Sequence, residues 1–395
     1  MTNARLPATV AEQRVQVAAI SIALAGALPV FLTGAMAVQI GRDLDFGPAR
    51  LGIASGTFFA AAALASAPMG RIAERVGPHR ACRRAGWAGA VFTAALAATP
   101  DYLSLLAFLA AAGSANALAQ VSANLLVARG VRAGRQGWAL ALKQAGVPAG
   151  TLLGGLAVPA IALTVGWRWA YACGAVIALG AIGAVPRQRV VPDPVQRRAD
   201  SGDVPLGPLV LLAVAVGFAA GANGTLATFL VSTGVEAGFS EASAGLLLTM
   251  GSAIGISMRL LAGSRADRRG GRHLPVVTSL LTGGTLGYLL LAPGARLTHV
   301  LGAVLAFGAG WAWPGLFNLA VVRLNPGAPG AATGITQTGV YVGALTGPVV
   351  FGLVADHAGF GWAWILSAAF SSIGAVGMVV GRRQVLRWRA GRSAS

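Results

Sequence analysis

Residues 70–77 read Gly-Arg-Ile-Ala-Glu-Arg-Val-Gly and residues 263–270 read Gly-Ser-Arg-Ala-Asp-Arg-Arg-Gly, a spacing of 193 positions. The same offset carries Gln144-Ala-Gly146-Val-Pro-Ala-Gly150 onto Gln337-Thr-Gly339-Val-Tyr-Val-Gly343, and Gly154 onto Gly347. Upstream, Phe46, Ala49 and Gly52 answer to Phe239, Ala242 and Gly245; downstream, Gly166 and Trp169 answer to Gly359 and Trp362. Asn124 and Arg129 pair with Asn318 and Arg323 at 194, a one-residue slip in a loop. Five blocks in one register mark a duplicated unit that fills most of each half of the chain.

Each copy reads as a membrane unit. Of the 395 residues, 55% are AVILMFWYC and 11% are charged, with a mean hydropathy of +0.70, whereas soluble domains carry about 25% charged residues. An ordinary globular enzyme and a disordered chain are both excluded. Apolar runs long enough to cross roughly 30 Å of hydrocarbon lie near residues 15–39, 50–69, 84–99, 102–127, 137–163 and 168–185, then near 207–232, 242–262, 274–292, 297–322, 330–353 and 361–381. No run alternates over about ten residues as a transmembrane barrel strand would.

The charges are lopsided, with 30 Lys and Arg against 12 Asp and Glu for a net +18. With both termini on the cytoplasmic side, 25 of the 30 cations fall in inner segments, among them the five arginines from Arg259 to Arg272. Four, Arg42, Arg50, Arg168 and Arg296, fall outside, and Lys143 lies within a span. That asymmetry is the positive-inside pattern, so topology accounts for the charge and no nucleic-acid partner is needed. The expected organisation is a cytoplasmic segment 1–14, a six-helix bundle 15–185, a polar linker 186–206, a second bundle 207–381 and a basic tail 382–395 on the anionic inner leaflet. The N-terminus lacks signal-peptide order, and Cys82 and Cys173 fit no metal spacing and are not expected to pair.

The repeated loop, extended to Gly70–Arg80 and Gly263–Arg272, resembles the G-x-x-x-D-R-x-G-R-R signature of the major facilitator superfamily. Glu74 stands for Asp in the first copy, and Asp267 is kept in the second. Gly166-Trp167-Arg168-Trp169-Ala170-Tyr171 is similar to the family's G-W-R-W-x-F block at helix six. The resemblance implies an all-α membrane protein of twelve transmembrane helices in two pseudo-symmetric six-helix bundles. It also implies a cytoplasmic gate at Gly70, Glu74, Arg75, Gly77, Arg80, Gly263, Asp267, Arg268, Gly270 and Arg272. On residue chemistry alone the same glycines and arginines also read as turn formers and inner-face anchors. Implied further are a monomer in the bacterial cytoplasmic (inner) membrane, no cofactor, a small-molecule substrate, and a coupling proton or other ion as a partner still to be assigned.

No Asp or Glu lies deep in a predicted span, which argues against a buried carboxylate as proton carrier or as counter-ion for a cationic solute. Lys143 is the chain's one lysine; facing a central cavity it would attract an anion, with Gln144 beside it and Gln337 from the other half, while the bland alternative is snorkelling to the inner interface. Asn116, Gln120, Asn223, Trp311, Tyr341 and Phe31 are the other polar or aromatic residues near span centres, each also readable as packing. Helix four lacks the Arg common in proton-coupled drug exporters of the superfamily, and Gly155 stands where their helix-five pattern has Pro. The expected function is a secondary transporter for a small anionic or polar organic solute. An exporter of hydrophobic drugs or secondary metabolites is the alternative, and a non-transporting membrane sensor a distant one. No catalytic constellation is visible, so an enzyme is not expected.

Overall fold

The computed structural model describes residues 10–187, 204–265, 273–325 and 329–393, and the described residues hold helices and turns without a strand. In the first half these are α1 (Val10–Ala35), α2 (Ala37–Asp43), α3 (Pro48–Val76), α4 (Pro78–Ala97), α5 (Tyr102–Gly130), α6 (Ala133–Lys143), α7 (Gly146–Ala157) and α8 (Trp167–Ala184). In the second they are α9 (Leu206–Glu236), α10 (Glu241–Ser264), α11 (His273–Leu291), α12 (Arg296–Leu305), α13 (Pro314–Leu324), α14 (Pro329–Ala358) and α15 (Phe360–Ser393). Nine helical spans among the described residues, counting Arg296–Leu324 (α12 through α13) as one, are long and apolar enough to cross a membrane. The other spans fall short for visible reasons: α4 opens on Arg80, Arg83 and Arg84, α8 on Trp167-Arg168-Trp169, and the fifth span is broken.

Three spans expected as continuous are interrupted. The first changes helix at Met36, the fifth at Gln144–Ala145, and the tenth through a π turn (Ala306–Gly310) and a joint at residues 311–313 before Pro314 starts α13. Proline chemistry explains two of them. Pro148 has no N–H to offer the Gln144 carbonyl four residues earlier, and Pro314 is suited to a first helical turn and not to an interior. Bundle interiors tolerate such breaks because neighbouring groups re-satisfy the freed carbonyls.

The link between α3 and α4 is Gly77 alone, at φ +82° and ψ 153°, backbone that a Cβ would strain. Asp101 caps α5, accepting from the Ser104 amide at 2.8 Å, and these hydrogen bonds from Ser104 hold its carboxyl below the usual carboxylate range. Its acidity therefore reports on a formed helix end.

The helices pack through small residues, as membrane helices do when backbones approach closely. A Cβ built on Gly339 would lie 1.9 Å from the Ala213 carbonyl oxygen, and one on Gly343 1.8 Å from that of Gly217, so α14 rests on α9 backbone to backbone. The duplication is visible in the seams between the bundles. Gly52 of α3 meets the Pro348 carbonyl of α14, with 2.2 Å left for a Cβ, and Gly245 of α10 meets the Gly155 carbonyl of α7, with 2.7 Å. Residues 52 and 245, and 155 and 348, are mates at the offset of 193, so one contact is made twice across a pseudo-two-fold axis.

The apolar core divides unevenly along the membrane normal. At the end carrying Asp45 and Ser240, poor in arginine, a single cluster joins Phe31, Leu51, Phe58 and Tyr171 of the first bundle to Phe229, Leu248, Phe307 and Phe351 of the second. At the arginine-rich end there are two clusters. One is built on Val15, Cys82, Leu126 and Ala181, the other on Leu212, Val277, Phe317 and Met378. The bundles are thus fused at one end and separate at the other.

Candidate functional site

Two cations lie at the break in the fifth span. Lys143 ends α6; it is 2% exposed, and its ammonium donates to Gln120 Oε1 of α5 at 2.5 Å. Gln120 Nε2 in turn faces Asn116 Oδ1 at 3.2 Å and the Ala23 carbonyl of α1 at 3.2 Å. Three of the expected site residues thus form one polar chain inside the first bundle. Among the described residues Lys143 has no carboxylate partner.

The second cation is Arg259, and here the sequence reading needs correction. Counted above with the inner-loop arginines, it lies inside α10, five residues before the helix ends at Ser264. Its Nε donates to the Trp311 carbonyl at 2.8 Å, and its Nη1 crosses the seam to the Gln144 carbonyl at 3.1 Å. Both acceptors are carbonyls released by the interruptions: Gln144 stands four residues before Pro148, and Trp311 sits in the non-helical joint. The guanidinium carbon lies 5.4 Å from the centre of the Trp311 ring. No described carboxylate pairs with it. The available signal was its position within the span expected at 242–262, which the loop count overrode. The offset of 193 pairs Arg259 with Ser66, so the duplicated unit carries this charge on one seam only. At the matching place on the other seam, Ser66 of α3 faces the hydroxyl of Tyr341.

Aromatic groups gather around Arg259. Trp311 meets Phe31 edge-on at 6.4 Å across the seam and Phe307 at 5.1 Å. With its carboxamide turned to satisfy its neighbours, Asn223 accepts from the indoles of Trp311 and Trp313 at 3.2 Å each and donates to the Gly310 carbonyl at 2.9 Å. Asn223 therefore positions the Trp311 ring. Gln337 is partly exposed and its repeat neighbour Thr336 is buried, bonded to its own helix.

Of the expected gate residues, Glu74, Arg75 and Arg80 are exposed at the arginine-rich end, and Gly70 and Gly263 sit in α3 and α10. Asp267, Arg268, Gly270 and Arg272 lie outside the described residues. A cross-bundle latch missing from the sequence reading lies at the opposite end. Glu241 at the start of α10 takes a hydrogen bond from Gln39 at 2.6 Å and an ion pair from Arg42, both in α2. Ser55 and Thr228 add a hydroxyl pair at 3.2 Å across the same closure. Nearby, Asp43 accepts from the Trp167 indole at 2.8 Å and from Arg168 at 2.9 Å, and these bonds, Trp167's first, lower its carboxyl from the ordinary value. A hollow of about 410 Å³ at this end, bordered by Arg42, Asp45 and Phe46, holds none of the expected solute residues. Because Arg42 is well exposed, Glu241→Gln is expected to loosen the closure by no more than about fivefold, the range of an exposed ion pair. The rate at which a cysteine placed at Ser55 reacts with a charged thiol reagent would measure it.

A duplicated helical body, fused at one end and split at the other, with two inner cations, Lys143 and Arg259, that have no carboxylate partner among the described residues, is the architecture of a membrane carrier. The sequence profile of the Major Facilitator Superfamily matches residues 18–301 and 212–393. The chain belongs to that superfamily and is a secondary transporter, not an enzyme. Its fold is similar to that of a bacterial homologue of the human lysosomal transporter Spinster in an inward-facing, occupied conformation, with a TM-score of 0.78, 15% identity, and 96% of this chain and 99% of that one covered. It is also similar to a D-xylose-proton symporter (TM-score 0.74, 15% identity, 92% and 96% covered). The nucleoside transporter NupG is a further likeness (TM-score 0.70, 14% identity, 94% and 99% covered). No curated protein matches the sequence.

Proposed function

We propose that the protein carries a small anionic or polar organic solute across the bacterial cytoplasmic membrane by rocking its two bundles. The observation that carries this reading is Arg259: a cation on the seam between the bundles, held by two backbone carbonyls and lacking a described acid. A charge kept inside a membrane protein is costly and marks a solute or ion path. Lys143, on the broken fifth span whose Gln144 carbonyl Arg259 reaches, adds to the positive potential. In this reading the arginine-rich end faces the cytoplasm, where Glu74 and Arg75 of the first loop, with Asp267 and Arg268 of the second, form the gate. The other end is closed by the Glu241 latch and the glycine seams.

The test is exchange in proteoliposomes preloaded with unlabelled solute, comparing labelled organic acids, sugars, nucleosides and hydrophobic cations. Organic acids are expected to exchange, and Arg259→Gln to slow that exchange at least about tenfold, the scale of one lost charge-assisted hydrogen bond. Exchange confined to neutral solutes, or to hydrophobic cations as a drug exporter would give, would overturn the reading.

A further inference from the structure

The surroundings of Arg259 narrow the solute further, a step that rests on the anion reading above. The Nε hydrogen and one Nη1 hydrogen go to the two carbonyls, and the residue stays partly exposed, so Nη2 with the second Nη1 hydrogen is what remains for a ligand. One free guanidinium edge matches one carboxylate. The other cation of the region, Lys143, is already engaged by Gln120. The wall beside that edge is aromatic: the Trp311 ring, held by Asn223, with Phe31 from the other bundle set edge-on to it. Trp311 and Phe31 are 3% and 6% exposed, so this wall meets a ligand as the bundles part; it then stacks a flat apolar body and offers little to a polyhydroxylated one.

We propose that the seam between Arg259, Trp311 and Phe31 is a binding site for a monocarboxylate with a planar, apolar body, its carboxylate on the free edge of Arg259 and its body against Trp311. A dicarboxylate would bring a second charge with no free partner into an apolar wall. A neutral isostere would leave the guanidinium unpaired. Because Phe31 and the Gln144 carbonyl belong to one bundle while Arg259 and Trp311 belong to the other, the ligand would touch both. A carboxylate drawn to Arg259 also competes with the Gln144 carbonyl, the cross-seam bond of that residue. Occupancy and the state of the seam are thereby linked through a single guanidinium.

The experiment is calorimetric titration of the full-length protein in lipid nanodiscs with benzoate, acetate, benzamide and isophthalate. Benzoate is expected to bind about tenfold more tightly than acetate, the upper range of one aromatic contact. Isophthalate should bind more weakly than benzoate, and benzamide should give no measurable binding. Arg259→Gln should abolish benzoate binding, Arg259→Lys, which keeps the charge without the fork, should weaken it about tenfold, and Trp311→Leu should reduce benzoate to the level of acetate. Equal, Arg259-dependent binding of benzoate and acetate would overturn the planar-body assignment and leave the anion carrier standing. Benzamide binding as well as benzoate, unaffected by Arg259→Gln, would overturn both. Binding of none of the four would overturn the site assignment, while vesicle exchange of another anion would still support the carrier reading. Should Arg259→Gln fail to fold, Arg259→Lys and the four-ligand series on the unaltered protein decide the matter.

Discussion

Gly343→Val is expected to abolish the folded protein. A Cβ at this position would lie 1.8 Å from the Gly217 carbonyl oxygen and 3.0 Å from the Gly221 amide nitrogen, all backbone of α9, so no side-chain rotation relieves the clash. The two helices must part, and they cannot do so without also lifting Gly339 from Ala213 and Gly347 from Gly221 along the same face. Overpacking of a well-filled core costs about 1–3 kcal/mol for side-chain clashes and more where backbone must move. Membrane helices regain little by burying the added methyls, since lipid is as apolar as the interior. Size-exclusion chromatography in detergent should show loss of the monodisperse peak. The control is Gly334→Ala on the same helix, with open space within 4 Å, which should leave the peak and the thermal midpoint unchanged. A monodisperse Gly343→Val protein of normal midpoint would refute the close packing of α14 on α9.

Gly245→Leu should instead leave the bundles folded and change the balance between them. Here the neighbours are Gly155 and Val158 of the other bundle, each 2.7 Å from the position of a Cβ. The clash falls on a surface that a carrier must open in any case. Strain of about 1–3 kcal/mol placed on the closed seam shifts the open fraction about five- to 150-fold. A reporter on the other seam separates rocking of whole bundles from local distortion. Ser55 is 2% exposed and bonded to Thr228, so a cysteine there, with Cys82 and Cys173 replaced by alanine, should be nearly inert in the otherwise unaltered chain. In the Gly245→Leu background it should react with a membrane-impermeant thiol reagent faster by that factor, and exchange should slow by a similar one. Unchanged reactivity would mean that the seams do not move together.

The spans and the duplication were legible because they rest on periodic hydropathy and on a fixed offset, properties of the chain read alone. The contact of residues 52 and 348, repeated as 245 and 155, is that offset expressed in space. The gathering of Gln120, Asn116 and Lys143 was half legible: the residue types announced a polar group inside a span, but their order in one hydrogen-bonded chain depends on how α5, α1 and α6 meet. Arg259 was misplaced because a charge near a span end is assigned by its distance along the chain. What holds it is a carbonyl freed by Pro148, 111 positions away. The Glu241 latch was invisible for a similar reason, since Gln39, Arg42 and Glu241 are ordinary surface residues until two separate helices bring them together.

The carbonyl tether of Arg259 has an electrical consequence. A guanidinium paired with an acid would present no net charge to the membrane field, whereas one held by backbone dipoles presents its full charge. On the proposed anion reading, the carrier would be positive at this residue when empty and neutral there once a single carboxylate is bound. Full transfer of one charge through the field is worth about 2.3 kcal/mol per 100 mV. The membrane potential would therefore act mainly on the return of the empty protein and leave the loaded step nearly indifferent to voltage.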